Sequence, residues 1–420
     1  MQIRVPYGTG YQEAYIDESK VDVEIIDPPL AVPAESIEAI IEDALDNPVG
    51  TPRLEDMAEP DDKITIIVND HTRPGPNAEM CSAIVRRLNA AGVPDEHLLF
   101  VVATGCHKGP TDEQLHEILG GLEKRIRVHN HDCLDGEHIL MGTTSTNGVP
   151  VYLDKYVAES DFIVTTGVIT PHHIAGFSGG RKSIVPGVVS FDTLRKHHSL
   201  PVMPYEPAFN NFEDNIFHKI ALEAAKLVKV RFILNVVQDH HKQPAYAVAG
   251  DLEAAHLRGV ELCRQANTVD VHDRAQLIIA SPGGFPRDMD LWQSQKALSV
   301  AEVISDPEDV TFILCAEGKK GMPQLFIDWM SNAASPEAVI ERFRTEGFAI
   351  GSVKAFLYAR ALTKGRIILV TEGFDADQAD QVMMDWAPDL QTAIDTVMQE
   401  KSPEKIKVIP RAVNIIPRIV

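Results

Sequence analysis

Seventeen residues, Pro171 to Gly187 (P-H-H-I-A-G-F-S-G-G-R-K-S-I-V-P-G), hold two histidines, four glycines, an arginine and a lysine. Glycine lets a backbone adopt positive φ and approach a ligand closely. Imidazole binds metals or moves protons near neutral pH. A lysine holds a phosphate or bonds covalently to a cofactor. His172 and His173 are adjacent, so in extended chain they point to opposite sides and only one of them faces a site. The run Gly176 to Gly187 also reads as a phosphate-binding loop without catalysis. Ser178-Gly179-Gly180-Arg181-Lys182 is not the Walker pattern of nucleoside triphosphatases.

Three other clusters offer chemistry. Asp70-His71-Thr72-Arg73-Pro74 combines a carboxylate, a hydroxyl and a guanidinium. An arginine fork suits a planar carboxylate. Capping of a helix by Asp70 or Thr72 is the competing reading, although a cation is disfavoured at a helix N-terminus. Thr104-Gly105-Cys106-His107 presents a histidine for proton transfer, or one merely satisfied within a loop. Ser281-Pro282-Gly283-Gly284 leads toward Gln293 and Lys296, which share one face of a helix. An amide beside an ammonium suits a hydroxy or keto acid, and an exposed helix N-terminus accounts for the pair equally well. His129-x-His131-Asp132 has the composition of a metal tract, but no neighbouring cluster completes a coordination sphere, so it reads as a polar loop. His197 and His198 read, by themselves, as a surface pair.

Each cluster follows an apolar, β-branched run. The runs Ile64–Val68, Leu98–Val102, Phe162–Thr166, Phe232–Val237, Leu277–Ala280, Thr311–Cys315 and Ile367–Val370 are nearly continuous in apolar residues, as expected of strands buried on both faces. Helical patterns alternate with them: Asn77 to Ala91, a capping box at Thr111 opening Leu115–Leu119, a helix capped by Ser190, then Val353–Leu362 and Leu390–Met398. The alternation argues for an α/β fold with mostly parallel sheets; two Rossmann-like domains with the active site in the interdomain cleft are the expected arrangement. Ligands of such sheets bind at the carboxyl ends of the strands, so the four clusters are expected to converge there. The expected domains are 1–269 together with 395–420, binding the cofactor, and 270–394. The residues around Ile406–Pro410 are expected to return to the first domain as a strand.

The chain has 420 residues, a length that calls for two domains. Its net charge of −22 argues against nucleic-acid or anionic-membrane surfaces. Five cysteines without a C-x-x-C pair give no disulfide framework and no structural zinc site. No signal-peptide core opens the chain, and no apolar stretch approaches the ~18 residues of a membrane span, so a cytoplasmic location is expected.

Taken together the clusters resemble the lactate racemase family, enzymes that use a nickel-pincer nucleotide. The resemblance runs from Asp70 to about Leu362. It is carried by His172-x-x-Ala175-Gly176-x-Ser178-Gly179-Gly180-x-Lys182 with His198 beyond it, by Asp70-x-Thr72-Arg73-Pro74, by Thr104-Gly105-x-His107 and by Gln293-x-x-Lys296. It implies a pyridinium-3-thioamide-5-thiocarboxylic acid mononucleotide carrying nickel, tethered covalently to Lys182, with His198 as a nickel ligand. Asp70, Thr72, Gly179 and Gly180 would help hold the nucleotide. The implied reaction inverts C2 of a 2-hydroxy acid by proton-coupled hydride transfer. His107 and His172 are the acid–base pair, Arg73 anchors the carboxylate, and Gln293 and Lys296 orient the substrate. Cofactor-synthesis proteins would supply the nucleotide. Position 292 is Trp where lactate-specific members would carry Tyr, and Phe356 stands where another site aromatic is expected. Two other readings compete. A non-catalytic carrier of the pincer nucleotide explains the glycine loop and Lys182, but not His107 and His172 at separate strand ends. A zinc hydrolase lacks a recognisable ligand spacing.

Overall fold

The computed structural model describes residues 1–27, 36–239, 241 and 243–420. The chain divides into two compact units. The first holds Leu30–His198 and Asn211–Ala266; the second holds Met1–Pro29, Ser199–Asn210 and Asn267–Val420.

In the first unit a six-stranded sheet runs in the order Pro244–Gly250, Val230–Gln238, Phe162–Ile169, Ile64–Asn69, Leu98–Ala103, Arg127–Asn130. The edge strand Pro244–Gly250 is antiparallel to its neighbour, and all the other pairs are parallel. Alternation along the strands divides the core in two. Ile66, Val68 and Phe100 pack with Met80, Ile84 and Leu88 of the helix Asn77–Ala90, whereas Ile67, Val101, Ile163 and Ile233 face Val185, Val188 and Ala224. Every residue of Phe162–Ile169 is buried, which explains why this run is apolar without a period. Each large apolar side chain buried this way contributes about 1.5–3 kcal/mol. All seven expected strands form. Thr111 makes both halves of its capping box, and Ser190 caps the helix Phe191–His197.

The second unit has its own six-stranded sheet, wholly parallel, ordered Asp385–Ala387, Gly365–Val370, Val310–Cys315, Leu277–Ala280, Lys405–Ile409, Asp22–Ile25. Here the structure departs from the expected domains. Lys405–Ile409 does not return to the first sheet; it lies between Leu277–Ala280 and Asp22–Ile25. The N-terminal hairpin Gln2–Tyr7/Gly10–Tyr15 and the strand Asp22–Ile25 also belong to the second unit. There Ile3, Val5, Ile16 and Val408 are buried with Leu277, Ile279 and Ile313. An apolar run announces a strand, but the register that seats it between two particular neighbours is a tertiary choice. Among the described residues no helix is long and apolar enough to cross a membrane.

A buried ion pair braces the helix Leu291–Ile304, which carries Gln293 and Lys296. Arg360 donates to Glu302 from Nε (2.8 Å) and Nη2 (2.7 Å), and to the Tyr205 carbonyl from Nη1. Both side chains are almost wholly excluded from solvent. Arg360→Met removes both guanidinium donors from the buried Glu302 carboxylate and leaves it Lys364 Nζ at 3.9 Å. It is expected to cost about 3–5 kcal/mol in urea unfolding, and most of that loss should return when Glu302→Leu is added.

Candidate active site

Three of the four polar clusters leave adjacent parallel strands of the first sheet: Phe162–Ile169, Ile64–Asn69 and Leu98–Ala103. All three exits lie at carboxyl ends, where α/β sheets bind ligands. The loops are tied to one another, because the Gly105 N–H donates to the Gly187 carbonyl at 3.0 Å. The fourth cluster follows Leu277–Ala280 and therefore belongs to the other sheet.

Asp70 lies one residue beyond its strand and His107 four beyond the neighbouring strand. Asp70 Oδ2 sits 2.7 Å from His107 Nδ1. Asp70 Oδ1 accepts from the Thr72 hydroxyl (2.7 Å) and the Thr72 N–H (3.1 Å). Burial opposes ionisation of Asp70, but the hydrogen bond and charge of His107, the charge of Arg73 and the Thr72 hydroxyl outweigh it, holding the carboxyl below its usual range. A carboxylate at this place must accept. His107 therefore carries its proton on Nδ1 and directs the lone pair of Nε2 outward. This corrects the sequence reading of Asp70 and Thr72. Neither caps a helix, since the next one starts at Asn77 with Pro76 before it. Both instead help to orient His107. Arg73 Nη1 donates to the Thr72 hydroxyl (3.0 Å) and carbonyl (3.3 Å), which leaves further donors of its fork for an anion.

The 171–187 segment forms a tight ladder, Pro171–His172 against Gly176–Phe177. His172 closes its own turn: Nδ1 accepts the N–H groups of Ile174 and Ala175, each at 3.1 Å. Two N–H donors on Nδ1 place the proton of the neutral ring on Nε2. That Nε2 is 3.1 Å from Lys182 Nζ. Burial, then the charges of Arg73 and Arg181, push the Lys182 amine well below its ordinary pKa. His173 is buried. Gly179 and Gly180 adopt φ of +76° and +54°, and a Cβ on either would fall 2.6 Å from Asn235 Oδ1 or 2.7 Å from the His256 ring. The Gly180 N–H already donates to Asn235 Oδ1 at 2.8 Å. These glycines thus permit a close approach to Asn235 and His256 of their own protein. Asn235 escaped the sequence reading, although its signal is plain: it is the sole polar residue in the apolar run Phe232–Val237.

His198 ends the helix Phe191–His197. Its Nδ1–H donates to the Leu194 carbonyl at 3.2 Å, which puts the lone pair on Nε2. Burial, helped by the charges of His197 and Lys182, pushes its pKa well below the ordinary histidine value. A neutral imidazole with its second nitrogen hydrogen-bonded is the form in which histidine ligates a metal. His197 is not a surface residue. Its Nε2–H donates to the Phe217 carbonyl at 2.8 Å, and burial pushes it down to about 3. His129 and His131 both bond Asp154 Oδ2, at 3.0 and 2.9 Å, and so tie the edge strand Arg127–Asn130 to the strand Pro150–Asp154 of a separate two-stranded sheet. Among the described residues no three His, Cys, Asp or Glu side chains gather as a metal site.

In the second unit Gln293 and Lys296 do share a helix face, with Lys296 Nζ donating to Gln293 Oε1 at 2.7 Å. Asp290 caps that helix through the Gln293 N–H. Trp292 lies under Lys354 Nζ, 5.7 Å from the ring centroid. Phe356 is a core residue rather than a site aromatic, fully buried and stacked on Phe343.

Two family models match this chain: the lactate racemase N-terminal domain over residues 7–208 and the lactate racemase C-terminal domain over residues 270–417. The chain belongs to the lactate racemase family. Membership makes it an isomerase acting on a small molecule, and implies a cofactor. It is 32% identical over 397 residues to the lactate racemase of Thermoanaerobacterium thermosaccharolyticum, covering 91% of each chain. Identity to the lactate racemase of Lactiplantibacillus plantarum is 29% over 403 residues, covering 90% of each. The solved lactate racemase apoprotein from T. thermosaccharolyticum superposes with a TM-score of 0.88 over the whole of both chains at 29% identity. A protein from Thermotoga maritima shares the fold at a TM-score of 0.67 and 17% identity.

Proposed function

We propose that this protein is a racemase or epimerase inverting C2 of a 2-hydroxy acid. The observation that carries the reading is the pair of imidazoles with opposite hydrogen-bond roles: His107, with a lone pair directed outward by Asp70, and His172, with its proton on Nε2. Inversion needs an acid–base group on each face of the reacting carbon, and each such group contributes about 10²–10⁴-fold.

The residues fit a nickel-pincer nucleotide. Lys182 offers a depressed, nucleophilic amine for a thioamide tether, and His198 offers a neutral nitrogen donor. The metal's other donors would come from the cofactor itself. Bound there, the group would accept and return the hydride of C2. The chain's own part is binding and proton traffic. Arg73 pairs with the substrate carboxylate. His107 Nε2 takes the C2 hydroxyl proton, and the resulting imidazolium is stabilised by Asp70. His172 serves the opposite face. To cycle there it must exchange the acceptor bonds at Nδ1 for a proton, so the Ile174–Ala175 turn has to yield. Gln293 and Lys296 orient the substrate. Other proteins make and deliver the cofactor.

Intact mass and metal content of protein purified from its own host test this reading, followed by chiral chromatography of a panel of 2-hydroxy acids. A mass adduct on Lys182, near-stoichiometric nickel and racemisation of at least one acid are expected. Loaded protein that racemises none of them would favour a cofactor carrier. Equal activity without adduct or nickel would overturn the cofactor assignment.

A further inference from the structure

Tethering starts from the amine of Lys182, and a protonated lysine cannot attack. We propose that His172 has a second task besides proton transfer: it holds Lys182 as a free amine for attachment, and Asn215 and Arg181 hold His172 in the tautomer that does so. The proposal rests on the reading of Lys182 as the tether.

The argument is donor–acceptor matching. His172 Nδ1 accepts two backbone N–H groups, so Nε2 bears the proton. A protonated Nε2 at 3.1 Å from Nζ needs a lone pair opposite it. An ammonium has none, so the contact is satisfied only by the neutral amine. The depressed pKa of Lys182 agrees with this.

The tautomer is itself built in. The peptide whose N–H comes from Ala175 has its carbonyl on Ile174, and that carbonyl accepts from Asn215 Nδ2 at 2.6 Å. The next carbonyl, of Ala175, accepts from Arg181 Nη2 at 2.8 Å. Arg181 is 1% exposed, and no carboxylate among the described residues forms an ion pair with it. A buried guanidinium without a counterion is costly. Its donors go to carbonyls of this one loop, those of Ala175 and Gly179, with His256 Nε2 beside Nη1 and the Phe212 ring beneath. The turn under His172 is therefore gripped on two successive carbonyls.

The test uses the full chain produced without cofactor. Lysines are acylated with acetic anhydride at neutral pH, and rates at each site are read by peptide mass spectrometry, with surface lysines as internal standards of folding. Lys182 is expected to react faster than the surface lysines. His172→Phe should slow Lys182 by about tenfold, the effect of one lost hydrogen bond, and leave the standards unchanged. His172→Gln, which keeps a donor, should recover part of the rate although both variants lose racemisation. Asn215→Ser retains the helix cap and removes the second donor, so it should slow Lys182 by a smaller factor. ¹⁵N spectra of the histidines should show His172 protonated on Nε2. An Nδ1-protonated His172 in the wild type, or an unchanged Lys182 rate in His172→Phe, overturns the proposal, and the wild-type spectrum decides even where a variant does not fold. These readouts need no racemase activity. Failure here is thus distinct from failure of the tether reading, which would show as host-purified protein without an adduct.

Discussion

Lys182→Arg is expected to abolish the mass adduct and racemisation together, the latter to the limit of detection. The substitution keeps a cation of similar reach in the loop, so it separates charge from nucleophilicity. A guanidinium stays protonated at any physiological pH and has no lone pair to meet His172 Nε2 or an activated carbonyl. His198→Ala makes the contrasting case. It leaves the Lys182 amine intact, so the adduct should survive while nickel is lost on dialysis against a chelator. Intact mass reads the first effect and elemental analysis the second. If Lys182→Arg protein from the native host still carries the adduct, the tether lies elsewhere. If His198→Ala retains nickel at wild-type stoichiometry, the metal has another donor.

The residues of this loop were legible because their chemistry is local. Lys182, His172 and the glycines lie within seventeen positions, after a run with the apolar continuity of a buried strand. What the sequence did not disclose depends on contacts between strands. Asp70 and His107 stand 37 positions apart. They meet because Ile64–Asn69 and Leu98–Ala103 are parallel neighbours in register, with Asn69 opposite Ala103. No spacing rule encodes that pairing, so the sequence alone offers Asp70 as a cap or a nucleotide ligand. The same limit misplaced Lys405–Ile409 and the N-terminal strands, whose apolar alternation marks a strand without naming its neighbour. Phe356 shows the converse error. An aromatic at a family position looks like a pocket wall, yet it sits in the helix Ser352–Lys364, buried at every residue from Ser352 to Ala361, with Phe343 stacked on its ring.

Asp70→Asn should lower kcat by about 10²–10⁴-fold with little change in KM, because it attacks the tautomer of His107 rather than the presence of either residue. The carboxylate can only accept, so it forces the proton onto Nδ1 and the lone pair onto Nε2. An amide at the same place can turn its NH₂ toward Nδ1 and stabilise the opposite tautomer, with Nε2 protonated and unable to take the substrate hydroxyl proton. It also withdraws the negative charge that would stabilise the imidazolium once the proton is taken. The Thr72 hydroxyl orients Asp70 from the other side at 2.7 Å. Thr72→Val should therefore act in the same direction but more weakly, by about five- to tenfold, as one hydrogen bond of roughly 1 kcal/mol is lost. The pH dependence follows from the lowered pKa of Asp70. Above the ordinary aspartate range of about 4 the carboxylate is fully charged and the tautomer is held. The effect is lost only as pH falls below that range toward the depressed value, so kcat of the wild type should show no limb from Asp70 at neutral pH. Steady-state kinetics of both enantiomers, with thermal melting as a control for folding, check this. An Asp70→Asn enzyme with wild-type kcat would show that His107 takes its proton without Asp70, and would remove the orienting carboxylate from the mechanism.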